Sequence, residues 1–314
     1  CGKSTLLRIV AGLLEPSEGS ILFDGIDVTR LGTEQRNAVM CFQNYALWPH
    51  MTVRQNVAFG LSVRGGPADG QSARVAEALR LVQLDAYADR KPNALSGGQQ
   101  QRAALARALV VVPKCLLLDE PLSNLDAKLR LEMRSEIRRI CKSAGYTTIY
   151  VTHDQKEALS IADRIVLLKD GRIVQIGSPA ELYYHPKNAF VADFVGQTNL
   201  LNGTIEEVFA DGVSVGPEVG TMKAAGHAAK DRQSVVVSIR PERIRILSPG
   251  AARSPVANHL AGKVIETIFL GEVSEHWVQI NGHRLKASCS GPMLEASGEV
   301  VLEIEAADCV VLPE

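Results

Sequence analysis

The 314-residue sequence predicts an α/β domain followed by an all-β domain, and three stretches carry that expectation. Cys115-Leu116-Leu117-Leu118 is a short apolar run with no polar alternation, which is how a strand reads when a parallel sheet is covered on both faces. Just ahead of it, Ser96-Gly97-Gly98 opens a run through Gln99, Arg102, Leu105 and Leu109 at helical spacing, and Pro113 stops it. Beyond residue 197 the character changes. Residues 201–208, 235–239, 260–269, 277–288 and 300–304 are short β-rich segments separated by turns such as Asn281-Gly282.

The central strand ends abruptly in Asp119-Glu120, and Pro121 blocks its continuation. Open α/β sheets bind ligands at the carboxyl ends of their strands, so two adjacent carboxylates there can divide the work between a hard cation and a water molecule. The helix starting after Ser96 aims free amide groups and the positive end of its dipole at whatever precedes Gln99, and two glycines let a large anion approach. A phosphate fits both halves. The chain opens on Cys1-Gly2-Lys3-Ser4-Thr5 and an amphipathic helix ending near Gly12, which is the second half of the pattern G-x-x-x-x-G-K-[ST]. In that pattern backbone N–H groups cradle phosphates, the lysine reaches the β and γ phosphates and the hydroxyl meets Mg²⁺. The first glycine and the strand before it are expected to precede the sequence given.

Composition narrows the classes. A formal net charge of −1 provides no electrostatic footprint for nucleic acid. No apolar run approaches the roughly 18 residues of a membrane span, and the start carries no signal-peptide pattern, which together predict a cytosolic chain. The six cysteines are scattered, without the spacing of a zinc site, and read as small buried hydrophobes in a reducing compartment.

Between the phosphate motifs, an apolar strand over residues 38–42 ends at Gln43, followed by Asn44-Tyr45-Ala46-Leu47-Trp48-Pro49-His50-Met51. Gly65, Gly66, Pro67 and Gly70 mark a loop, after which Val75, Ala78, Leu79 and Val82 recur at helical spacing. Asp126 is positioned to cap a helix striped by Leu129, Met133, Ile137 and Ile140. A β-rich run over 147–151 delivers Thr152-His153, and Asp154 caps the next helix. Asp170-Gly171 marks a hairpin, and Ser178, Pro179 and Glu181 give the cap, first-turn proline and capping acid of a short helix.

Gly2-Lys3-Ser4-Thr5, Leu95-Ser96-Gly97-Gly98-Gln99, Leu118-Asp119-Glu120 and Ser123-Asn124-Leu125-Asp126, in this order, resemble the Walker A, signature, Walker B and D-loop motifs of ATP-binding cassette (ABC) ATPases. The stretch after Gln43 is similar to the Q-loop of importer subunits, and Thr198-Asn199-Leu200-Leu201 with Ile239-Arg240-Pro241-Glu242 resembles their OB-like TOBE domain. The resemblance implies a P-loop NTPase domain over residues 1–196, its helical subdomain at about 62–112, and an all-β TOBE regulatory domain over 197–314. It further implies ATP and Mg²⁺ as cofactors. Cys1, Gly2, Lys3, Ser4 and Thr5 of one subunit and Ser96, Gly97, Gly98, Gln99 and Asp126 of a second would bind the nucleotide. Ser4, Gln43 and Asp119 would meet the metal, Glu120 would polarise the attacking water, and His153 would contact the γ-phosphate.

As partners it implies a homodimer, two membrane permease subunits docking on the Tyr45–Met51 region, and indirectly an extracytoplasmic solute-binding protein, with no nucleic acid. Such a subunit sits peripherally at the cytoplasmic face of the inner membrane. The wording of the Q-loop, Leu81-Val82-Gln83-Leu84 with Arg90-Lys91-Pro92, and residues 198–201 look most like polyamine importers, while sugar, iron(III) and sulfate importers share nearly all of it. Non-transport ABC ATPases carry paired cassettes or long coiled-coil insertions, which this sequence lacks.

Overall fold

The structure is a computed structural model that describes residues 1–42, 45–63, 70–209, 212–225, 234–290 and 298–313. The chain divides into two compact units, Cys1–Ile173 and Val174–Glu314.

In the first unit, helix α1 (Lys3–Ala11) starts at Gly2 and ends at Gly12, both in the left-handed region. Two-residue strands β1 (Leu22–Phe23) and β2 (Ile26–Asp27) pair around Asp24-Gly25. Arg36, only 3 % exposed, donates to the carbonyls of Ile9, Val10, Thr29 and Leu31, so one guanidinium closes the carboxyl end of α1 and fastens the chain that leads into strand β3 (Ala38–Cys41). Helices α2 (Val53–Val63), α3 (Gln71–Leu81) and α4 (Gly97–Leu109) follow, then β4 (Cys115–Asp119), α5 (Ala127–Ala144), β5 (Thr147–Val151) and α6 (Gln155–Ile161).

Strands β3, β4 and β5 form a parallel sheet with β4 in the middle, in register from Ala38 beside Cys115 to Asp119 beside Val151. The absence of polar alternation in β4 now has its explanation. Leu116 and Leu118 enter the core made by α2 to α5, whereas Cys115 and Leu117 pack with Leu7 and Ala11 of α1 on the other face. The parallel register brings the carboxyl ends of all three strands to one edge, beside the start of α1.

Strands β6 (Ile165–Lys169) and β7 (Arg172–Gly177) pair across Asp170-Gly171, and the division between the units falls within β7. The second unit continues with α7 (Pro179–Tyr184), α8 (Ala189–Val195) and ten strands: β8 (Asn199–Val208), β9 (Val213–Pro217), β10 (Met222–Ala224), β11 (Ser234–Ile239), β12 (Arg245–Leu247), β13 (Ala257–Phe269), β14 (Ser274–Ile280), β15 (His283–Cys289), β16 (Glu299–Glu305) and β17 (Cys309–Pro313). The expected change of domain at 196–197 lies after α8, later than the division between compact units. Arg240 gives the physical reason. It is 6 % exposed, stacks over the Tyr183 ring at 4.1 Å, and donates to the carbonyls of Tyr183, Ala192, Gly196 and Gln197, which binds both helices to the β strands.

The ten strands form two antiparallel sheets, ordered β10-β9-β8-β11-β17 and β12-β16-β13-β14-β15, around one core. The sheets are built from a repeat that the sequence reading did not register. Asn199, Leu201, Gly203, Ile205 and Glu207 recur at the same spacing as Asn258, Leu260, Gly262, Val264 and Glu266, and both strands carry a bulge at the same place, Ile205/Glu207 and Val264/Glu266. Each half ends in a 3₁₀ turn, Pro241–Arg243 or Ala306–Asp308, that sends its last strand to the opposite sheet, so β12 pairs with β16 and β17 with β11. The two asparagines serve the same purpose. The Asn199 amide brackets the backbone N–H and C=O of Lys286 at 2.7 and 2.8 Å, and Asn258 brackets those of Lys223 at the same two distances. Each therefore satisfies both backbone groups of a residue in the other sheet.

Candidate functional site

The edge where β4 and β5 end holds most of the expected residues. Gly2 caps α1 with φ of 91°, a conformation that costs a residue with a Cβ, and its carbonyl accepts from Leu6 N–H at 2.9 Å. The first turn of α1 is thereby formed with its free N–H groups directed outward, past exposed Cys1 and Thr5. Lys3 Nζ donates to the Thr152 carbonyl at 3.0 Å. Ser4 Oγ donates to Asp119 Oδ1 at 3.1 Å.

Glu120 follows Asp119 with φ of 47°, an uncommon conformation for a residue with a side chain, and three contacts hold it there. Its N–H donates to Val151 O at 2.9 Å, its carbonyl accepts from Ser123 Oγ at 2.9 Å, and its Oε1 lies 3.1 Å from His153 Nδ1. The sharp exit from β4 turns this carboxylate to the side from which β5 delivers the imidazole. His153 is 67 % exposed while Glu120 is 27 % exposed, so the pair sits at a mouth rather than in the core.

A hydroxyl and a carboxylate at 3.1 Å are the hard oxygen donors that Mg²⁺ prefers. Among the described residues no group of three or more His, Cys, Asp or Glu side chains could hold a metal. A cation here would take most of its ligands from water and phosphate, which is the habit of Mg²⁺ and fits the donor set.

The other expected residues lie elsewhere. Ser96 caps α4 with Gln99 in a reciprocal capping box, Ser96 N to Gln99 Oε1 at 2.9 Å and Gln99 N to Ser96 Oγ at 3.4 Å. Asp126 caps α5 by accepting from Leu129 N–H at 3.0 Å. Among the described residues no hydrogen bond or ion pair joins Ser96–Gln99 to Lys3, Ser4, Asp119, Glu120 or His153 within the chain. The glycines of this turn also have a packing reason: a Cβ on Gly98 would stand 2.9 Å from Leu129, and one on Gly97 3.2 Å from Leu125. Gln43 and Asn44 lie outside the described residues.

Past them, Tyr45 and Ala46 adopt positive φ, and Arg107 of α4 donates to both carbonyls at 2.7 and 2.6 Å while lying 4.8 Å over the Trp48 ring. Trp48 packs on Phe59 at 4.1 Å, Leu47 contacts the core of the helices, and the buried Tyr45 hydroxyl has no hydrogen-bond partner among the described residues. Sequence reading missed Arg107 as the clamp of this loop; the signal available was a guanidinium in a helix whose neighbours Ala106 and Ala108 are apolar. It also missed the Thr152 carbonyl, a backbone group that no motif reveals.

A family model described as "ABC transporter" matches residues 1–123, and one described as "TOBE domain" matches residues 237–312. A spermidine/putrescine import ATP-binding protein, PotA, of Marinobacter nauticus is 44% identical over 283 residues, covering 89% of this chain and 74% of that protein. The chain belongs to the ATP-binding subunits of ABC transporters. PotA of Chromobacterium violaceum is likewise 44% identical, over 89% of this chain and 78% of its own length. An Fe(3+) ions import ATP-binding protein, FbpC, of Fusobacterium nucleatum is 48% identical over a shorter stretch, 78% of this chain and 66% of that protein. A solved dimeric ATP-binding cassette in a post-hydrolysis state with ADP and Pi is 34% identical and covers 57% of this chain and 81% of its own, with a TM-score of 0.49. Among the described residues of this ABC ATPase no helix is long and apolar enough to cross a membrane.

Proposed function

We propose that this chain hydrolyses ATP to energise import of a polyamine of the spermidine/putrescine class through a membrane permease. The observation that carries the ATPase reading is the pairing of Ser4 with Asp119 and of Glu120 with His153 beside Lys3. The polyamine reading is supported by the functions of relatives that align over about nine-tenths of the chain. The iron(III) relative aligns over a smaller share, and sugar or sulfate import are further alternatives.

In the proposed mechanism the first-turn N–H groups of α1, from Gly2 to Thr5, and the Lys3 ammonium bind the phosphates of ATP. Ser4 and Asp119, with Gln43, would hold Mg²⁺, which would supply charge neutralisation on those phosphates. Glu120 orients the attacking water and draws its proton, and His153 contacts the γ-phosphate while fixing the Glu120 carboxylate. Cys1 lines the same turn. The absence, among the described residues, of any hydrogen bond or ion pair from Ser96, Gly97, Gly98 or Gln99 to this edge supports a site completed by a second copy, whose signature turn would cover the nucleotide.

Domain roles follow the same reading: residues 1–196 as the ATP-binding domain and 197–314 as the TOBE regulatory domain. Permease subunits would dock at the Tyr45–Met51 region, where a groove of about 430 Å³ opens between His50, Met51, Gln55, Ala58 and Phe59. An extracytoplasmic solute-binding protein would act through that permease, placing the chain peripherally at the cytoplasmic face of the inner membrane.

The test is uptake of labelled putrescine, spermidine, maltose and ferric iron by cells with and without the gene. Gene-dependent putrescine or spermidine uptake that Glu120→Gln abolishes is the expected result. Gene-dependent uptake of maltose or iron alone would overturn the polyamine reading, and ATP turnover unaffected by Glu120→Gln would overturn the chemistry.

A further inference from the structure

Glu157 is a carboxylate 3 % exposed with no ion pair among the described residues, a costly place for a charge unless hydrogen bonds compensate it. Its Oε2 accepts from Tyr150 OH at 2.9 Å and from Thr152 Oγ1 at 2.8 Å. Thr152 is thereby tied by its side chain, and the same Oγ1 accepts from Asp154 N–H at 2.9 Å. The Thr152 carbonyl is the group that receives Lys3.

The other flank of His153 is tied as firmly. Asp154 Oδ1 accepts from Glu157 N–H at 3.1 Å, and its Oδ2 pairs with Arg134 at 2.8 Å and with Arg130 at 3.7 Å. Arg130 also donates to the carbonyl of Leu125 at 3.0 Å, in the turn between β4 and α5. His153 itself is largely exposed, with its Nδ1 3.1 Å from Glu120 Oε1. An exposed side chain on an unrestrained turn would sample many rotamers, so the direction of the imidazole must come from the residues on either side.

We propose that Glu157 is a positioning residue for ATP hydrolysis: it fixes the turn of residues 152–154 so that His153 stays against Glu120. The inference rests on the ATPase reading above. Glu157 touches neither substrate nor reacting atoms and works through Thr152. Replacing the carboxylate by an amide leaves only a neutral oxygen to accept from the two hydroxyls, so both bonds lose their charge assistance and the hold on the turn weakens.

The experiment measures kcat, KM for ATP and the melting temperature of the intact ATPase as wild type, Glu157→Gln, His153→Ala and the double variant. Glu157→Gln is expected to lower kcat about tenfold or more with KM changed less than about threefold, because only the alignment of the reacting groups is disturbed. In the His153→Ala background the same substitution is expected to cost less than about twofold in kcat, since the side chain it positions is gone. Losses that multiply in the double variant, or a folded Glu157→Gln enzyme with normal kcat, overturn the proposal. Should Glu157→Gln fail to fold, Thr152→Val removes the hydroxyl that links Glu157 to the Asp154 N–H and is held to the same two expectations, with Thr152→Ser restoring kcat. Absence of ATP turnover in the wild-type transporter would instead sink the ATPase reading.

Discussion

Arg240 is the residue whose loss should most change the second unit. Its guanidinium is 6 % exposed, and burial lowers its pKa without discharging it. Arg240→Met keeps much of the length and apolar stem but leaves four carbonyls, of Tyr183, Ala192, Gly196 and Gln197, without their donor. Those bonds are not additive. A buried acceptor left without its donor typically costs about 1–3 kcal/mol, so four that share one donor are expected to cost about 3–5 kcal/mol together. A slope of about 2 kcal/mol per molar urea converts that to a midpoint lowered by roughly 1.5–2.5 M.

The sequence provides a clean assay because it contains two tryptophans, Trp48 in the first unit and Trp277 in the second. In a Trp48→Phe background, Trp277 emission reports the second unit alone, which avoids treating a two-unit chain as a single transition. Helices α7 and α8 should also become sensitive to proteolysis, since Arg240 ties both to the strands and its loss leaves α8 held by its apolar packing on β11 and β17. A Trp277 midpoint within about 0.3 M of the parent would refute the reasoning, because among the described residues no other side chain donates to those four carbonyls.

Glu120→Gln should lower kcat by at least about a hundredfold while ATP still binds, whereas Lys3→Ala should weaken binding itself; turnover assays beside calorimetry separate the two. Burial pushes the thiols of Cys41 and Cys309 up to about 12 and that of Cys115 to about 11. A raised folded pKa favours the neutral thiol, so this stabilisation is fully present below the ordinary value of 9.0 and is lost as pH rises from there through the folded values. With a thiol reagent at about pH 8, exposed Cys1 should react at once and buried Cys115 and Cys309 only on unfolding, which a timed labelling experiment checks. Leu47→Ser should destabilise the first unit by about 2–4 kcal/mol because Leu47 touches the core, while Met51→Glu, on the groove, should leave the melting temperature within about 2 °C and abolish co-purification with the permease. A stable Leu47→Ser protein, or a Met51→Glu subunit that still co-purifies, would refute these assignments.

Much of the site was legible because its residues obey local rules. Gly2-Lys3-Ser4 opens a helix, Asp119-Glu120 ends a strand with no alternation, and Ser96, Asp126, Asp154 and Ser178 cap helices as their spacing predicts. Local sequence fixes such features because caps and turns are satisfied within three or four residues. Strands β9, β10, β12 and β17 were not separately legible, since each is three to five residues long and is stabilised by its partners rather than by its own pattern.

What the sequence by itself determined is the order of motifs, the buried middle strand and the change from α/β to all-β character, each set by periodicity and by turn residues. Only the tertiary structure decided that Ser4 meets Asp119, that His153 meets Glu120 and that Lys3 rests on a backbone carbonyl. It also decided that the two halves of the second unit exchange their last strands, and that Arg36, Arg107 and Arg240 tie loops and helix ends by their carbonyls. The reason is the same in each case. These contacts join groups far apart in the chain, and a backbone carbonyl looks alike at every position until folding leaves it in need of a donor.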